Sequence, residues 1–464
     1  MKLRVSEIAE AVGGKLVQGG DAAVQGVVTD SRKDCRGAVF FALKGPNFDG
    51  RDFLSDVLAR GAVAAVVSGA GPFRCPPLSP VIVVDDTLKA LGALAAHIRA
   101  GFKKPLVAIS GSVGKTTTKD MAASILAVSR KVLKTEGNKN NLIGLPLTLF
   151  GLDEGVEAAV VELGISEPGE MERLVSICSP DVAVITNIGR GHLAGLGSLE
   201  GVALAKGPLF RSVDEKGVKA VNLDDPWVVK LAGDMKRAVT YSLERKADVT
   251  VRKRAERGLG GLGVTYDVRG RSVSVRFASP GSSNVINGAA AIAATLTLGV
   301  ESAEIEEGLS SFVPAKGRME VLRVGGLTVL DDTYNANPES VASALRTLGK
   351  AEGRRVAVLG DMLELGPASK AEHREAGRLA GMLGIEIVVA VGSFAADLVE
   401  GAASAGVRGS YGFNNRQEAE SSLAGILRQG DTVLVKGSRG MQMEKTVEAL
   451  KLGFSSAKPG GTLS

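Results

Sequence analysis

The feature that most constrains the fold of this chain is the stretch 106–119, with the sequence LVAISGSVGKTTTK. Its first four residues are apolar and predict a buried strand, and a glycine-rich turn then leads into a helix that we expect to begin near Thr117. Such a turn directs backbone N–H groups at an anion, and the N-terminus of the helix adds partial positive charge. The stretch therefore predicts a phosphate-binding loop between a strand and a helix.

The side chains of this loop suit a bound nucleotide. Lys115 would place a full positive charge against the phosphates, and Thr116 would offer its hydroxyl to Mg²⁺. The usual G-x-x-x-x-G-K-[ST] spacing requires a glycine where this chain has Ile109, so the loop is a shortened variant. A chance glycine-rich turn is the alternative. The residues that we predict to contact the nucleotide are Gly111, Ser112, Val113, Gly114, Lys115, Thr116 and Thr117.

Length and composition limit the class of protein. A chain of 464 residues is too long for one hydrophobic core, and its 60 glycines suit alternating strands and helices joined by tight turns. The net charge of +5 is not gathered into dense basic blocks, so we expect no nucleic-acid partner. Three scattered cysteines favour a reducing cytoplasm over a zinc site or a disulfide framework. We also expect no membrane insertion, because no apolar run is long enough.

The order of the predicted elements indicates an α/β fold with three domains. Residues 1–100 alternate short strands and helices, residues 101–313 carry the phosphate loop, and residues 314–464 alternate strands and helices again. Four strands of the last region end in small or charged residues, at the edge where open parallel sheets bind ligands. We therefore expect a central, mostly parallel sheet of the phosphate-loop type, flanked by a smaller N-terminal α/β domain and a C-terminal Rossmann-like α/β domain.

Two further strands of the central region lead to residues that can hold a cation. The apolar run 158–161 ends at Glu162, where a carboxylate can ligate Mg²⁺, and capping of a helix is the alternative. The strand 182–186 leads to His192, one of only three histidines, which is either a ligand or a structural residue. Lys206, taken alone, is a surface lysine.

Polar residues at loops mark possible substrate contacts. Asn138 and Asn141 lie in an asparagine-rich loop that can hydrogen-bond to phosphate, metal-bound water or substrate, or can simply form turns. Ser31, Arg32 and Lys44 follow strands of the first region and could hold a diphosphate, since arginine forms forked hydrogen bonds. Ordinary solvated turns are the alternative for these three residues.

Several motifs together resemble those of the Mur ligase family. They are SGSVGKTTTK, NKNNLIGLPLTL, TNIGRGHLAGLGSLEGVALAKG, KGRMEVL, DDTYNANPESV, VLGDMLELG and VLVKGSRGMQMEKTV. The resemblance spans nearly the whole chain. DDTYNANPES and GDMLELG look most like the branch of the family that adds D-alanyl-D-alanine to UDP-N-acetylmuramoyl-tripeptide.

The resemblance implies an ATP-dependent and Mg²⁺-dependent ligase of peptidoglycan precursor synthesis. It would work in the cytoplasm as a monomer, through an acyl-phosphate intermediate, with UDP-N-acetylmuramoyl-tripeptide and D-Ala-D-Ala as its partners. The alternatives are a sister ligase that adds a diamino acid to the dipeptide precursor, and a nucleotide-binding paralogue without ligation. The first region would bind the UDP-sugar, the second ATP, and the third the incoming dipeptide.

The resemblance also implies roles for individual residues. The catalytic residues would be Lys115, His192, Lys206 and Arg318, with Lys206 modified by CO₂ to a carbamate. The Mg²⁺ ligands would be Thr116, Glu162, His192 and the carbamylated Lys206. Arg318 would contact the γ-phosphate, and the nucleoside would be contacted by Asn287, Asp332, Tyr334 and Asn335. Substrate contacts would come from Ser31, Arg32, Lys44, Asn138, Asn141, Lys436 and Arg439.

Overall fold

The computed structural model describes residues 3–69, 74–213, 215–256 and 258–455. In these residues the strands form a five-stranded, a nine-stranded and a six-stranded sheet, together with a two-stranded ribbon. The three large sheets follow one another along the chain, and we call the parts that contain them the N-terminal unit (3–101), the central unit (106–310) and the C-terminal unit (317–455). No helix in the described ranges has the length and hydropathy needed to span a bilayer.

The N-terminal unit has the sheet order β2-β7-β6-β5-β4. Its strands are β1 (Leu3–Arg4), β2 (Lys15–Gln18), β3 (Ala23–Val24), β4 (Gly26–Val28), β5 (Ala38–Phe41), β6 (Ala64–Ser68) and β7 (Val81–Val84). Its helices are α1 (Val5–Ala11), the 3-10 turn Gly50–Phe53, α2 (Leu54–Ala59) and α3 (Thr87–Gly101). Strands β4 to β7 are parallel, and β2 pairs antiparallel with β7.

The central unit has the sheet order β16-β15-β14-β13-β12-β11-β8-β10-β9. Its strands are β8 (Leu106–Ser110), β9 (Val132–Lys134), β10 (Ala158–Glu162), β11 (Val182–Ile185), β12 (Val218–Asn222), β13 (Ala238–Ser242), β14 (Val249–Glu256), β15 (Leu262–Val268) and β16 (Arg271–Phe277). Neighbouring strands from β9 to β14 in this sheet pair parallel. The pairs β14–β15 and β15–β16 are antiparallel. Because β8 lies between β10 and β11, the carboxyl ends of these three strands meet at one edge.

The helices of the central unit cover both faces of this sheet. They are α4 (Lys115–Ala127), α5 (Gly144–Leu149), α6 (Glu170–Cys178), α7 (Leu193–Leu196), α8 (Leu199–Lys206), α9 (Pro208–Arg211), α10 (Pro226–Ala232), α11 (Ser283–Thr295), the 3-10 turn Leu296–Leu298 and α12 (Ser302–Ser310). Helix α4 begins two residues earlier than predicted. The reason is that Gly114 takes a left-handed conformation (φ 85°) and precedes the first helical residue, Lys115.

The C-terminal unit has the sheet order β17-β18-β22-β19-β20-β21. Its strands are β17 (Glu320–Val324), β18 (Leu327–Asp332), β19 (Arg355–Gly360), β20 (Ile387–Val391), β21 (Gly409–Phe413) and β22 (Thr432–Lys436). Its helices are α13 (Pro338–Gly349), the 3-10 turn Gly366–Ala368, α14 (Ser369–Met382), α15 (Ala395–Ser404), α16 (Arg416–Ile426), the 3-10 turn Arg439–Met441 and α17 (Glu444–Ser455). All its strands are parallel except β17, which pairs antiparallel with β18.

The central and C-terminal units touch at more than one place. Leu259, in the turn of the β14–β15 hairpin, packs against the apolar core of the C-terminal unit. Glu256, at the end of β14, pairs with Lys350 just after α13, with 2.5 Å between the charged atoms. Further contacts between these units lie at the phosphate loop and bear on function.

Candidate active site

The phosphate loop lies between β8 and α4 and requires its glycines. Gly111 has a φ of +144°, and a Cβ at this position would overlap Thr186 Oγ1 at the end of β11. Lys115 folds back over the loop, and its Nζ donates to the carbonyl oxygens of Gly111 (2.9 Å) and Ser112 (3.2 Å). The ammonium is thus held where it can contact an anion bound by the loop.

A segment that follows β11 supports the loop from one side, and Asn187 is its main contact. Asn187 Oδ1 accepts from Val113 N (2.9 Å), and its Nδ2 donates to the Val113 carbonyl (2.8 Å). Gly189 N donates to Ser112 Oγ (2.8 Å). Asn187 is not among the residues predicted from the sequence. Its position directly after a strand is the one signal in the sequence that could have indicated it.

Glu162 lies at the end of β10 and faces the first turn of α4. Its side chain is buried, Oε2 accepts from Thr116 Oγ1 (2.5 Å), and Oε1 accepts from Asn140 Nδ2 (2.8 Å). The carboxylate therefore belongs to the phosphate-loop cluster and does not cap a helix. Asn140 was not among the predicted residues, although it lies between two that were.

The two predicted asparagines of the same loop have other positions. Asn141 Oδ1 accepts from the backbone N–H groups of Ile143 (3.1 Å) and Gly144 (2.9 Å), at the start of α5. Asn138 is exposed to solvent. Asn140, and neither of its predicted neighbours, supplies the amide that contacts Glu162.

Lys206 is a buried residue at the end of α8, which corrects the impression of a surface lysine. The pKa of Lys206 is lowered to about 7, mainly by burial and then by the charge of nearby Lys115, while nearby Glu162 acts in the opposite direction. Lys206 is therefore near enough to Lys115 and Glu162 for their charges to change its pKa, and it belongs to the same cluster. In the described part of the chain no hydrogen bond is made by the Lys206 ammonium.

Arg318 reaches this cluster from the C-terminal unit. One guanidinium nitrogen donates to Thr116 Oγ1 (2.7 Å), and the guanidinium carbon lies 3.9 Å from the centre of the Tyr334 ring. Arg318 Nε is buried, and within the described residues it has no hydrogen-bond partner. Burial lowers the pKa of Lys115, with Glu162 acting against this and Arg318 adding to it. The site thus concentrates positive charge around the loop.

The donor atoms of the cluster fit Mg²⁺. The Glu162 carboxylate and the Thr116 hydroxyl are hard oxygen donors, which Mg²⁺ prefers, and Mg²⁺ is often held by one or two carboxylates together with phosphates and water. Among the described residues no group of three or more histidine, cysteine or acidic side chains could hold a metal ion. Any site here would therefore depend on Glu162 and Thr116, with the remaining ligands supplied by substrate, water or a modified lysine.

His192 lies beside the C-terminal unit, and its role as a metal ligand stays a prediction. It takes a left-handed conformation (φ 57°) before α7, and its Nδ1 lies 2.6 Å from Glu364 Oε2 of the C-terminal unit. The His192 side chain lowers the pKa of the Glu364 carboxyl. The structure thus directs Nδ1 to the interface between two units.

Asn287 lies behind the phosphate loop on α11. It is buried, its Oδ1 lies 3.5 Å from Thr118 Oγ1, and a Cβ at Gly114 would overlap it. Asn287 therefore supports the loop from behind, and its contact with adenine stays a prediction.

Asp332 and Lys436 are directly paired in the C-terminal unit. Their strands β18 and β22 are neighbours with these two residues in register, and the Lys436 ammonium lies 2.6 Å from Asp332 Oδ2. Lys436 is buried and also donates to the Asn335 carbonyl (2.8 Å). The parallel register thus gives the Lys436 charge a partner inside the sheet, and a contact of Lys436 with substrate stays a prediction. The Asp332 carboxylate is likewise paired, since it holds the Lys436 ammonium.

The remaining predicted residues are more exposed. Arg439 lies at the surface, pairs with Glu444 (3.1 Å), and is 5.9 Å from the Tyr334 ring. Asn335 is also exposed and accepts from the backbone of Arg439 (3.3 Å).

The predicted UDP-sugar residues lie in the N-terminal unit. Arg32 and Lys44 are exposed, and Arg32 pairs with Asp30 (2.9 Å). Lys44 bridges to Asp49 through the backbone, and the Ser31 carbonyl accepts from Arg60. These contacts remain within the N-terminal unit and do not join the three residues to the phosphate loop.

Comparison with known proteins decides the family. Residues 23–99 match the Mur ligase family catalytic domain, residues 109–295 the Mur ligase middle domain, and residues 317–439 the Mur ligase glutamate ligase domain. The chain is 35% identical to the UDP-N-acetylmuramoyl-tripeptide--D-alanyl-D-alanine ligase of Escherichia coli, over 97% of this chain and 99% of the relative. The chain belongs to the Mur ligase family. The enzyme of the same name from Bacillus subtilis is 35% identical to this Mur ligase over 97% of this chain and 98% of the relative.

Solved structures agree with this assignment. A crystal structure of MurF from Acinetobacter baumannii is 33% identical, with a TM-score of 0.91, and the match covers 97% of this Mur ligase and 99% of that chain. The MurF ligase from Thermotoga maritima in complex with ADP is 28% identical, with a TM-score of 0.81 over 93% and 98% of the two chains. The predicted family, α/β fold class and ligase activity are thereby confirmed, and ATP use agrees with the ADP complex.

Proposed function

We propose that this Mur ligase adds D-alanyl-D-alanine to UDP-N-acetylmuramoyl-tripeptide with conversion of ATP to ADP and phosphate, as a monomeric cytoplasmic enzyme of peptidoglycan precursor synthesis. The names of its relatives support the substrates. The observation that carries the chemistry is the hydrogen bond from Arg318 of the C-terminal unit to Thr116 of the phosphate loop. This contact forms a cationic site between two units, which suits transfer of a phosphoryl group.

The reaction needs this charge because a carboxylate is a poor electrophile. Transfer of the γ-phosphoryl group breaks its bond to ADP and forms a bond to a carboxylate oxygen of the tripeptide, which gives an acyl phosphate. The amine of the dipeptide then attacks the acyl carbon, phosphate leaves, and the amine loses a proton as the amide forms. Since phosphates and carboxylate are all anionic, Lys115 and Arg318 would offset their repulsion.

Arg318 has a donor available for this role. Its Nε is buried without a hydrogen-bond partner among the described residues, while another guanidinium nitrogen is held by Thr116. A buried donor without a partner carries a desolvation cost, which an oxygen of the γ-phosphate would remove. Tyr334 lies against the guanidinium and would keep it oriented.

Glu162 and Thr116 would hold Mg²⁺. When bound, Mg²⁺ would supply positive charge that offsets the phosphate oxygens. Asn140 would orient the Glu162 carboxylate through its 2.8 Å hydrogen bond.

A carbamate on Lys206 would complete this arrangement. The neutral Nζ would attack CO₂, forming a C–N bond as one C=O bond opens, and a proton would pass to water. The burial of Lys206 next to another cation, Lys115, supports the change, because it replaces a repelled positive charge by an anion. The carbamate oxygen would be a further hard ligand.

The three units would divide the substrates. The N-terminal unit would bind the UDP-sugar near Ser31, Arg32 and Lys44, since Arg32 and Lys44 are exposed and Ser31 is only partly buried. The central unit would bind ATP, and the C-terminal unit would bring the dipeptide to the phosphate loop.

The decisive experiment measures phosphate release and product mass with ATP, Mg²⁺ and UDP-N-acetylmuramoyl-tripeptide, with and without D-Ala-D-Ala. We expect the pentapeptide product and phosphate in equal amounts when the dipeptide is present. A diamino acid with the dipeptide precursor is the matched control, and it should yield no product. Phosphate release that is equal with and without D-Ala-D-Ala would refute the proposed function.

The carbamate has a separate test. Incubation with ¹³C-bicarbonate should give a protein-bound carbamate signal in the ¹³C NMR spectrum, and Lys206→Arg should lack it. Lys219, another largely buried lysine of the central unit, provides the matched variant Lys219→Arg, which should keep the signal. An unmodified Lys206 under saturating CO₂ would contradict the proposal.

A further inference from the structure

Arg190 connects the central unit to the C-terminal unit. Its Nε and its backbone N both donate to Glu339 Oε1, at 3.0 Å and 3.1 Å. Another guanidinium nitrogen donates to Glu372 Oε1 at 2.8 Å. Glu339 lies in the first turn of α13 and Glu372 in the first turn of α14, so one arginine contacts two helices of the C-terminal unit.

The segment 187–192 that carries Arg190 is also attached to the phosphate loop. Asn187 accepts from the backbone of Val113, and Gly189 exchanges hydrogen bonds with Ser112. The chain therefore passes within three residues from the loop contact at Asn187 to the interface contact at Arg190.

The interface continues beyond Arg190. Ala194 N donates to the Glu364 carbonyl (3.0 Å), and His192 Nδ1 lies 2.6 Å from the Glu364 carboxylate. These contacts involve the same face of the C-terminal unit. They seat it beside the phosphate loop, which is where Arg318 of that unit contacts Thr116.

The charges at the interface depend on Arg190. Glu339 Oε2 is buried, and no donor in the described ranges reaches it. The Glu372 side chain is only 12% exposed. Without Arg190, two carboxylates would remain at the interface with their main cation removed, and a charge left without its partner there is unfavourable.

We propose that Arg190 is a positioning residue for ligation, which holds the C-terminal unit against the segment 187–192 and so sets Arg318 on the phosphate loop. The inference rests on the proposed function. Its consequence concerns water as well as rate, because an acyl phosphate at a loosened interface is open to hydrolysis. Loss of Arg190 should therefore uncouple phosphate release from amide formation.

The test compares Arg190→Gln with a matched control, Arg374→Gln. Arg374 is 49% exposed against 44% for Arg190, and it also contacts two carboxylates, Asp397 and Glu400, but both lie within its own unit. For R190Q we expect kcat for amide formation to fall about fivefold, the size expected for two partly exposed ion pairs. KM for ATP should change less than about twofold, because the loop itself is intact.

Three further readouts distinguish positioning from general stability. Phosphate released per amide formed should rise in R190Q and stay at one in R374Q. Arg190→Lys, which keeps the positive charge, should recover most of the coupling. The double variant with Glu339→Gln should be no worse than R190Q alone, since both changes remove one contact.

The outcomes separate this inference from the proposed function. Absence of amide product with the unmodified chain would refute the function, and the inference with it. Normal ligation by the unmodified chain, with equal kcat and equal coupling in R190Q and R374Q, would overturn the role of Arg190 alone. Should R190Q fold poorly, coupling measured in E339Q decides: unchanged coupling overturns the inference, and increased phosphate release per amide supports it.

Discussion

Replacement of Asn140 by aspartate should turn an attraction at Glu162 into a repulsion. The Asn140 amide donates to Glu162 Oε1 at 2.8 Å, so an aspartate here would place a second carboxylate next to a buried one. Two unit charges 3 to 4 Å apart repel by about 4 to 6 kcal/mol at an effective dielectric constant of about 20. Rotation of the new side chain would relieve part of this, and the lost hydrogen bond adds about 1 kcal/mol. We expect Asn140→Asp to lower the free energy of unfolding by about 2 to 4 kcal/mol without Mg²⁺.

Urea unfolding of Asn140→Asp and Asn138→Asp, with and without MgCl₂, measures this effect. Asn138 is exposed in the same loop and undergoes the same chemical change, so its variant should stay within about 0.5 kcal/mol of the unmodified chain. Mg²⁺ should stabilise Asn140→Asp more than the unmodified chain, because a second carboxylate would join its ligands. Equal stability of the two variants without metal, together with equal responses to Mg²⁺, would refute the placement of Asn140 at the carboxylate.

Three further predictions follow from other contacts. Gly114→Ala should weaken ATP binding, since its Cβ would overlap Asn287 Oδ1, and Asn287→Ala should relieve part of the loss; additive effects on Kd for ATP would contradict this contact. Arg318→Lys should lower kcat for phosphate release about 100-fold, with a smaller change in KM for ATP, and an unchanged kcat would exclude a γ-phosphate role. Asp431→Asn should lower the free energy of urea unfolding by about 3 kcal/mol and leave kcat unchanged, because buried Asp431 accepts from two Arg354 nitrogens. Unaltered stability would show that the ion pair is dispensable.

The phosphate loop could be predicted because its signal is local. Gly111, Gly114, Lys115 and Thr116 lie within six residues, and their roles follow from backbone conformation and side-chain chemistry alone. Glu162 could be predicted for a related reason, since it ends a strand that is apolar throughout and so must lie in the sheet. The central site was therefore accessible from the sequence.

Contacts that depend on distant parts of the chain could not be predicted. Three of the four residues 138–141 are asparagines, so residue type does not distinguish them. Which asparagine contacts Glu162 depends on how the loop returns across β10. Lys436 and Asp332 are 104 residues apart, and only the register of β18 with β22 makes them neighbours. The sequence alone therefore shows Lys436 as a charged residue at a strand end and does not reveal that Asp332 on the adjacent strand is its partner.

The close fit between Gly111 and Thr186 limits how such a chain can diverge. A larger residue at 111 would need a smaller one at 186, but the Thr186 hydroxyl also donates to the Val113 carbonyl at 2.6 Å, and that donor would be lost. A smaller residue at 186 that lacks the hydroxyl would make room for a side chain at 111, but it would remove a hydrogen bond that supports the phosphate loop. Substitutions at position 111 should therefore be rejected alone and together with changes at 186 that remove the hydroxyl, so random mutagenesis with selection for ligase activity should not recover them.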